Sequence, residues 1–301
     1  MAAGGRPLAQ PLGHHVAFAG GELADEFERR LGAARHHVVA GLGVGLHRIG
    51  RLGGVVGIGL QRIRQLHRSG AGSIALFEIG RRYLAESEHL TLGVLLAGDR
   101  QGRDWRTGKP QPYDAFDAKA EAIALLAAAG APVDRLQVME AVSPVYHPGQ
   151  SGTLRLGPKT ILAEFGALHP ATLKAFDLDG PVVAAEIHLD AIPAKRAAGR
   201  TRAAYAPPLL QPVKRDFAFI VPDALPAGDL LRAVSGADKE RIVEVGLFDL
   251  FKGQGVAESE KSLGVEVVLQ PGEKSFTEDE LKAIAAKIVA AAEKLGGKLR
   301  G

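Results

Sequence analysis

From Ser73 onward, apolar positions recur in short runs bounded by glycine, proline and polar clusters. SIALFEIG (73–80), LTLGVLLAG (90–98), RLQVMEAV (135–142), TLRLG (153–157), KTILAEFGAL (159–168) and VVAAEIHLDAI (182–192) each carry the length and β-branched content of a strand. Between the second and third runs lies AFDAKAEAIALLAAAG (115–130). Its apolar residues return at helical spacing, its composition favours helix, and Gly130 stands where a C-terminal cap needs left-handed backbone. One helix among hairpin-linked strands predicts a mainly antiparallel α+β domain over residues 71–192.

The last ninety residues are patterned more regularly. In VKRDFAFIV, the residues Val213, Arg215, Phe217, Phe219 and Val221 share one side, the period-two signature of a strand. AGDLLRAVSG reads as a short helix stopped by Gly236. RIVEVGLFDLF and KSLGVEVVLQ read as two strands joined by the turn-forming KGQGVAESE. TEDELKAIAAKIVAAAEKLGG is a long amphipathic helix, with Thr277 and Glu280 placed for a capping box and Gly296 for a stop. KLR (298–300) adds a final edge strand. The order β-α-β-β-α-β over residues 212–301 is that of a ferredoxin-like split βαβ plait, whose helices cover one sheet face and leave the other for a ligand.

Residues 193–211 form a linker. PAKRAAGRTRAAYAPPLLQP carries Lys195, Arg196, Arg200 and Arg202, no acid, and prolines that favour extended chain. It reads as a solvated connector, with a basic arm along an RNA backbone as the alternative. Residues 1–70 differ from everything after them. The first lysine is Lys109, six of the ten histidines fall at or before His67, and eight glycines crowd Gly41–Gly59 without a fixed period. The pairs His14-His15 and His36-His37 lack the spacing of a metal site, and no phosphate-binding glycine pattern occurs. This segment is expected to be aberrant or poorly ordered.

Composition narrows the classes. A chain of 301 residues with 46% hydrophobic and 24% charged residues suits two soluble domains. Without cysteine there is no disulfide, thiolate metal site or cysteine nucleophile. Net charge is only +3, and Pro212–Gly301 holds 13 Lys or Arg against 15 Asp or Glu, net −2, so any RNA contact must be a local patch. No run is credible as a membrane span or a secretory signal, which makes the cytoplasm the expected compartment.

In GLFDLFKGQG (246–255), Lys252 sits in a glycine-rich stretch that leads from one strand to another. A phosphate loop must lead into a helix N-terminus, so a hairpin is expected here. Strict alternation puts Leu247, Asp249 and Phe251 on one face and Phe248, Leu250 and Lys252 on the other. Phe217, Phe219, Phe248 and Phe251 are core by default, and an exposed one beside Lys252 or Arg215 would suit stacking of an unpaired base. Arg215 faces either Asp216 or a phosphate. His147, His169 and His188 are scattered, with the His-Pro pairs of YHPGQSG and ALHPAT reading as turns, so no catalytic or metal residue is assigned.

QPVKRDFAFIV, VGLFDLFKGQGVAESEKSLGVEVVLQP and SFTEDELKAIAAKIVAAAEKLGGKLR resemble the C-terminal anticodon-binding domain of the bacterial phenylalanine–tRNA ligase β-subunit family. Upstream, IALFEIGRRYL, WRTGKPQPYDAFDAKAEAIALLAAAG, YHPGQSGTLRLGPKTILAEFGALHPATLKAFDLDG and VVAAEIHLDAI are similar to that family's synthetase-like core. The resemblance covers about Gly72–Gly301. It implies an antiparallel class II synthetase-like core without an active site, followed by the ferredoxin-fold domain. It also implies an α subunit that binds ATP and phenylalanine, an (αβ)₂ heterotetramer, and contact of the last domain with the anticodon stem-loop of the phenylalanine tRNA. No cofactor is implied for this chain, with ATP and Mg belonging to the full ligase. By motif position, RNA contact falls on Arg215, Phe248, Phe251, Lys252 and Lys261. The family's upstream modules have no counterpart before Ser73, which suggests that Met1 to about Leu66 is an out-of-frame translation. The alternative is a stand-alone ferredoxin-like module for a small molecule or a protein.

Overall fold

The computed structural model describes residues 37–39, 54–83, 87–106, 108–140, 142–193 and 207–300. The chain divides into two compact units between Ala198 and Gly199. In the first, strand β1 (His37–Val39), helix α1 (Gly54–Arg68) and strands β2 (Ser73–Tyr83), β3 (Glu88–Gln101) and β4 (Gln111–Pro112) are followed by helix α2 (Ala115–Ala128). Strands β5 (Gln137–Met139), β6 (Tyr146–Arg155) and β7 (Ile161–Leu168), helix α3 (Pro170–Ala175) and strand β8 (Val182–His188) complete it. The sheet order is β1-β2-β3-β8-β7-β6-β5, with β4 beside β3. Every pairing is antiparallel except β1 with β2.

Both faces of this sheet are covered near its centre. Alternate residues of β2 and β3, including Phe77, Val94 and Leu96, meet Ala118, Ala122, Leu125 and Leu126 of α2. Helix α2 begins where Asp114 accepts from the Phe116 and Asp117 amides while Asp117 accepts from the Asp114 amide, a closed capping box. It ends at Gly130, whose φ of 85° meets the expected left-handed stop. The opposite residues, Ile74, Leu76, Leu95 and Ala97, pack with Leu60 and Ile63 of α1.

Here the structure departs from the expectation of an aberrant segment over residues 1–70. Helix α1 lies within it, and Leu60 and Ile63 are among the most deeply buried side chains. The run Gly41–Gly59 masked the helical spacing of Leu60, Ile63 and Leu66, and one of those glycines is structural. A Cβ on Gly59 would lie 2.4 Å from Leu95 Cδ1, so its absence lets the helix settle onto the sheet. Residues 1–36, 40–53 and 194–206 lie outside the described residues, and with them His14, His15, His36, His47 and the linker cations. A second departure concerns the His-Pro pairs. YHPGQSG is the first part of β6, not a turn, while His169 caps α3 by accepting from the Ala171 amide at 3.0 Å.

The second unit follows the expected order: β9 (Val213–Pro222), α4 (Ala227–Ser235), β10 (Ile242–Phe251), β11 (Glu260–Leu269), α5 (Glu278–Glu293) and β12 (Lys298–Leu299). The sheet order β10-β11-β9-β12, antiparallel throughout, is the split βαβ arrangement. Phe219, Val221, Leu263, Val265 and Val267 point at Leu230 and Val234 of α4 and at Ile284, Ile288 and Ala292 of α5. Both helices therefore cover one face. Thr277 and Glu280 form the predicted box, with the Thr277 amide donating to Glu280 Oε2 at 2.8 Å. Gly296, at φ 79°, supplies the stop.

Candidate nucleic-acid interface

The uncovered face of the second sheet takes its character from one irregularity. Leu247 pairs with Val265 but Asp249 pairs with Gly264, so two residues of β10 oppose one of β11 and Phe248 is the extra residue. Strict alternation would put Phe248 and Phe251 on opposite faces. The bulge puts both on the open one. A Cβ on Gly264, which points away from the Leu263 and Val265 side chains, would lie 2.9 Å from Cε2 and Cζ of Phe248. Phe251 pairs with Ser262, on the same open side. Phe248 is 60% exposed and Phe251 38%. The core reading of these two aromatics is therefore replaced by a surface one, whereas Phe219 is fully buried as expected.

The guanidinium of Arg300 lies 5.6 Å from the centre of the Phe251 ring, reaching across the sheet from beyond β12. Sequence reading placed no role on Arg300. KLR was legible as an edge strand, but which face it shares depends on β12 joining β9, a pairing across some eighty residues. On that same face Lys214 is held by Glu266 at 2.9 Å, which removes one cation from the open surface.

Lys252 and Lys261 meet at the end of the sheet. Lys252 Nζ lies 2.5 Å from Asp223 Oδ1, and Lys261 Nζ donates to the Asp223 carbonyl at 2.7 Å. The hydrogen bond from Lys252, then the charges of both lysines, hold the Asp223 carboxyl below its ordinary range. Lys252 is thus carried on the first residue after β10, where a hairpin was expected. Arg215 stands apart. It pairs with Val267, whose side chain belongs to the helix-covered core, so it faces the helix side. There, with Phe217 and Leu269 of the sheet and Leu281 and Lys282 of α5, it lines a shallow groove of about 390 Å³. The structure therefore brings Phe248, Phe251 and Arg300 together on the open face and sets Lys252 and Lys261 at the end of the sheet, where Lys261, paired with Val221 of the core, faces the helix side, as Arg215 does at the opposite end.

The first unit holds a different polar arrangement. Glu78, Gly93, Glu186 and Glu164 stand in one row across β2, β3, β8 and β7. Arg82 lies 3.7 Å from Glu186 and 3.2 Å from His188 Nδ1. Burial raises Glu78 to about 7, raises the Tyr146 hydroxyl and lowers His188. No three His, Asp or Glu side chains among the described residues are placed to hold a metal ion. None of the described helices is long and apolar enough to cross a membrane.

Two family models match the chain. Residues 59–189 match the phenylalanyl tRNA synthetase beta chain CLM domain, and residues 208–300 match the ferredoxin-fold anticodon binding domain. The first match starts inside α1, in agreement with the helix's place in the core. The chain is thus built from two aminoacyl-tRNA synthetase modules. It belongs to the phenylalanyl-tRNA synthetase β-chain family.

Curated relatives described as the phenylalanine–tRNA ligase beta subunit agree. The chain is 66% identical over 243 residues to that of Novosphingobium aromaticivorans, spanning 79% of this chain and 30% of the relative. To that of Zymomonas mobilis it is 55% identical over 231 residues, spanning 77% and 29%. The chain therefore spans about 30% of the length of these relatives. Among solved structures, a pyrrolysyl tRNA synthetase from Desulfitobacterium hafniense is similar at 18% identity and a TM-score of 0.41, over 57% of this chain and 65% of that one. The stand-alone binding module is not favoured.

Proposed function

We propose that this chain is the C-terminal part of a phenylalanine–tRNA ligase β subunit and that its second unit binds the anticodon stem-loop of the phenylalanine tRNA. The observation that carries the reading is the bulge of β10. It turns Phe248 and Phe251 onto the open face of a domain whose family is described as anticodon-binding. Unpaired bases stack on such rings with little regard to sequence, and Arg300 and Lys252 supply cations for the backbone, while Lys261 faces the helix side and donates to the Asp223 carbonyl. Arg215, on the helix side, reaches only RNA that wraps past the sheet's edge.

The first unit is read as a class II synthetase-like core that performs no chemistry and packs against a catalytic α subunit in an (αβ)₂ heterotetramer. ATP and Mg belong to the α subunit's reaction, the attachment of phenylalanine to tRNA, in the cytoplasm. Nothing in this chain's own polar row is assigned a step of that reaction.

The test is fluorescence anisotropy of a labelled anticodon stem-loop titrated with the full chain across a salt series. Binding is expected to saturate, with log Kobs falling against log salt at a slope of about −1.4 to −2.7 if two or three cations meet phosphates. Phe248→Ala and Phe251→Ala should each cost about 1–3 kcal/mol. Binding that neither saturates nor responds to salt, or that ignores both substitutions, would overturn the reading.

A further inference from the structure

The chain's single tryptophan, Trp105, sits at the tip of the β3–β4 hairpin with 89% of its surface exposed. Burying an indole gains more than burying almost any other side chain, and Trp105 offers a bare aromatic plane to whatever its polar neighbours recruit. The hairpin beneath it is firmly built. Arg100 Nη1 donates to Asp117 at 3.0 Å and its Nη2 to Gln111 at 2.7 Å, tying β3 to β4 and to the start of α2. At the tip, the Gly108 amide donates to the Asp104 carbonyl at 2.8 Å, and the Arg106 amide donates to Asp104 Oδ1 at 2.8 Å. The left-handed backbone of Gly108, φ 82°, closes the turn. The indole is therefore carried on a hydrogen-bonded hairpin.

Its neighbours are cationic. The Arg106 guanidinium lies 5.7 Å from the centre of the indole ring. Arg103 and Lys109 line an open concavity of about 770 Å³ beside Trp105, and among the described residues neither pairs with a carboxylate. The one acid of the tip, Asp104, is occupied by the Arg106 amide and side chain. Three cations against one carboxylate around a bare aromatic plane fit a ligand that carries anions and flat rings together.

We propose that this hairpin is a second RNA contact, which takes an unpaired base on Trp105 and the flanking phosphates on Arg103, Arg106 and Lys109. The choice of RNA over other polyanions rests on the tRNA-binding reading above. An acidic peptide would satisfy the cations but bring no plane to the indole, whereas single-stranded RNA satisfies both.

Because Trp105 is the only tryptophan, its own emission reports the contact. The full chain is titrated with a mixed-sequence single-stranded oligoribonucleotide, with the same sequence as a duplex, with heparin, and with poly-glutamate. The single strand should quench Trp105 saturably, and between 50 and 200 mM salt the affinity should fall by roughly tenfold or more if two or three phosphates are met. Arg103→Ala with Lys109→Ala should weaken quenching by about tenfold, with the circular dichroism of the chain unchanged. Quenching should survive Phe248→Ala with Phe251→Ala, which separates this contact from the anticodon face. Equal quenching by duplex or heparin, quenching by poly-glutamate alone, or unchanged emission while labelled stem-loop still binds by anisotropy would overturn the proposal and leave the anticodon reading standing. Absence of any RNA binding would overturn both.

Discussion

Ile63 offers the sharpest test of where the folded protein begins, because helix α1 lies in a stretch whose composition argued against ordered structure. The side chain is fully buried, between Leu60 on its own helix and the Leu76, Leu95 and Ala97 face of the sheet. Ile63→Ala removes three carbons, about 2.4 kcal/mol at 0.8 per buried carbon, and leaves a cavity whose lining relaxes only in part. The expected loss is about 3 kcal/mol, a large share of an ordinary domain's 5–15. Urea unfolding followed by far-UV circular dichroism measures it. At an m-value of about 1–3 kcal/mol/M, the midpoint of the first unit should fall by about 1–3 M. Hydrogen exchange then assigns the loss, with amides of β2 and β3 exchanging faster and those of β9 and β11 unchanged. Gln61→Ala, on the exposed side of the same helix, should stay within about 0.5 kcal/mol. A midpoint for Ile63→Ala no lower than that of Gln61→Ala would refute the packing of α1 and restore a domain start near residue 71.

Glu78 should make stability pH-dependent. Its folded value, about 7, lies above the ordinary 4.5, so the folded state holds the proton more tightly and stability declines as pH rises from about 4.5 to 7. The decline is on the order of 3 kcal/mol, and Glu78→Gln should flatten it in parallel urea titrations. An equally steep profile in the variant would assign it elsewhere. Gly98→Ala should lower the thermal midpoint by more than about 4 °C, since Gly98 has φ 80° and a Cβ there would meet the Gly72 carbonyl oxygen at 2.0 Å, and a shift under a degree would contradict that geometry. Thr277→Ala opens the capping box of α5 and should cost the second unit about 1 kcal/mol in chemical unfolding, with no effect on the first.

Local signals proved readable in the sequence wherever a physical rule acts within one turn or one strand. The Thr277-Glu280 box, the Gly130 and Gly296 stops and the alternation of β9 depend on neighbours a few positions away. What escaped required distant partners. The face of Phe248 depends on a bulge set by pairing with β11, and Arg300's place over Phe251 depends on β12 joining β9. Helix α1 escaped for a different reason: its glycines dilute the apolar pattern, and what Gly59 contributes is an absence of atoms against Leu95. The open-face site was therefore half legible. Its residue types were visible, but two of its aromatics would have been assigned to opposite sides. Arg215 shows the converse, since its motif position says nothing of the face it takes, and its pairing with Val267 puts it behind the sheet.

Lys252 poses the remaining question about that face, because its ammonium is already engaged by Asp223. Contact with a phosphate must break that pair or share it. Both side chains remain substantially exposed, at 53% and 42%, and exposed pairs of this kind are weak, so the exchange is close to balanced. Asp223→Asn removes the competing charge. The donation from Lys261 goes to the backbone carbonyl of Asp223 and survives the substitution, so the local geometry is kept. Because the carboxyl is held below its ordinary range, the wild-type pair persists at every pH at which RNA binding is ordinarily measured. Stem-loop affinity should therefore rise by about two- to fivefold in Asp223→Asn at low salt, and the gain should vanish when Lys252→Ala is added. If Asp223→Asn binds no more tightly, or if the gain persists without Lys252, then Lys252 serves only as an internal ion pair with Asp223 and the cations of the open face are Arg300 and its neighbours on β12.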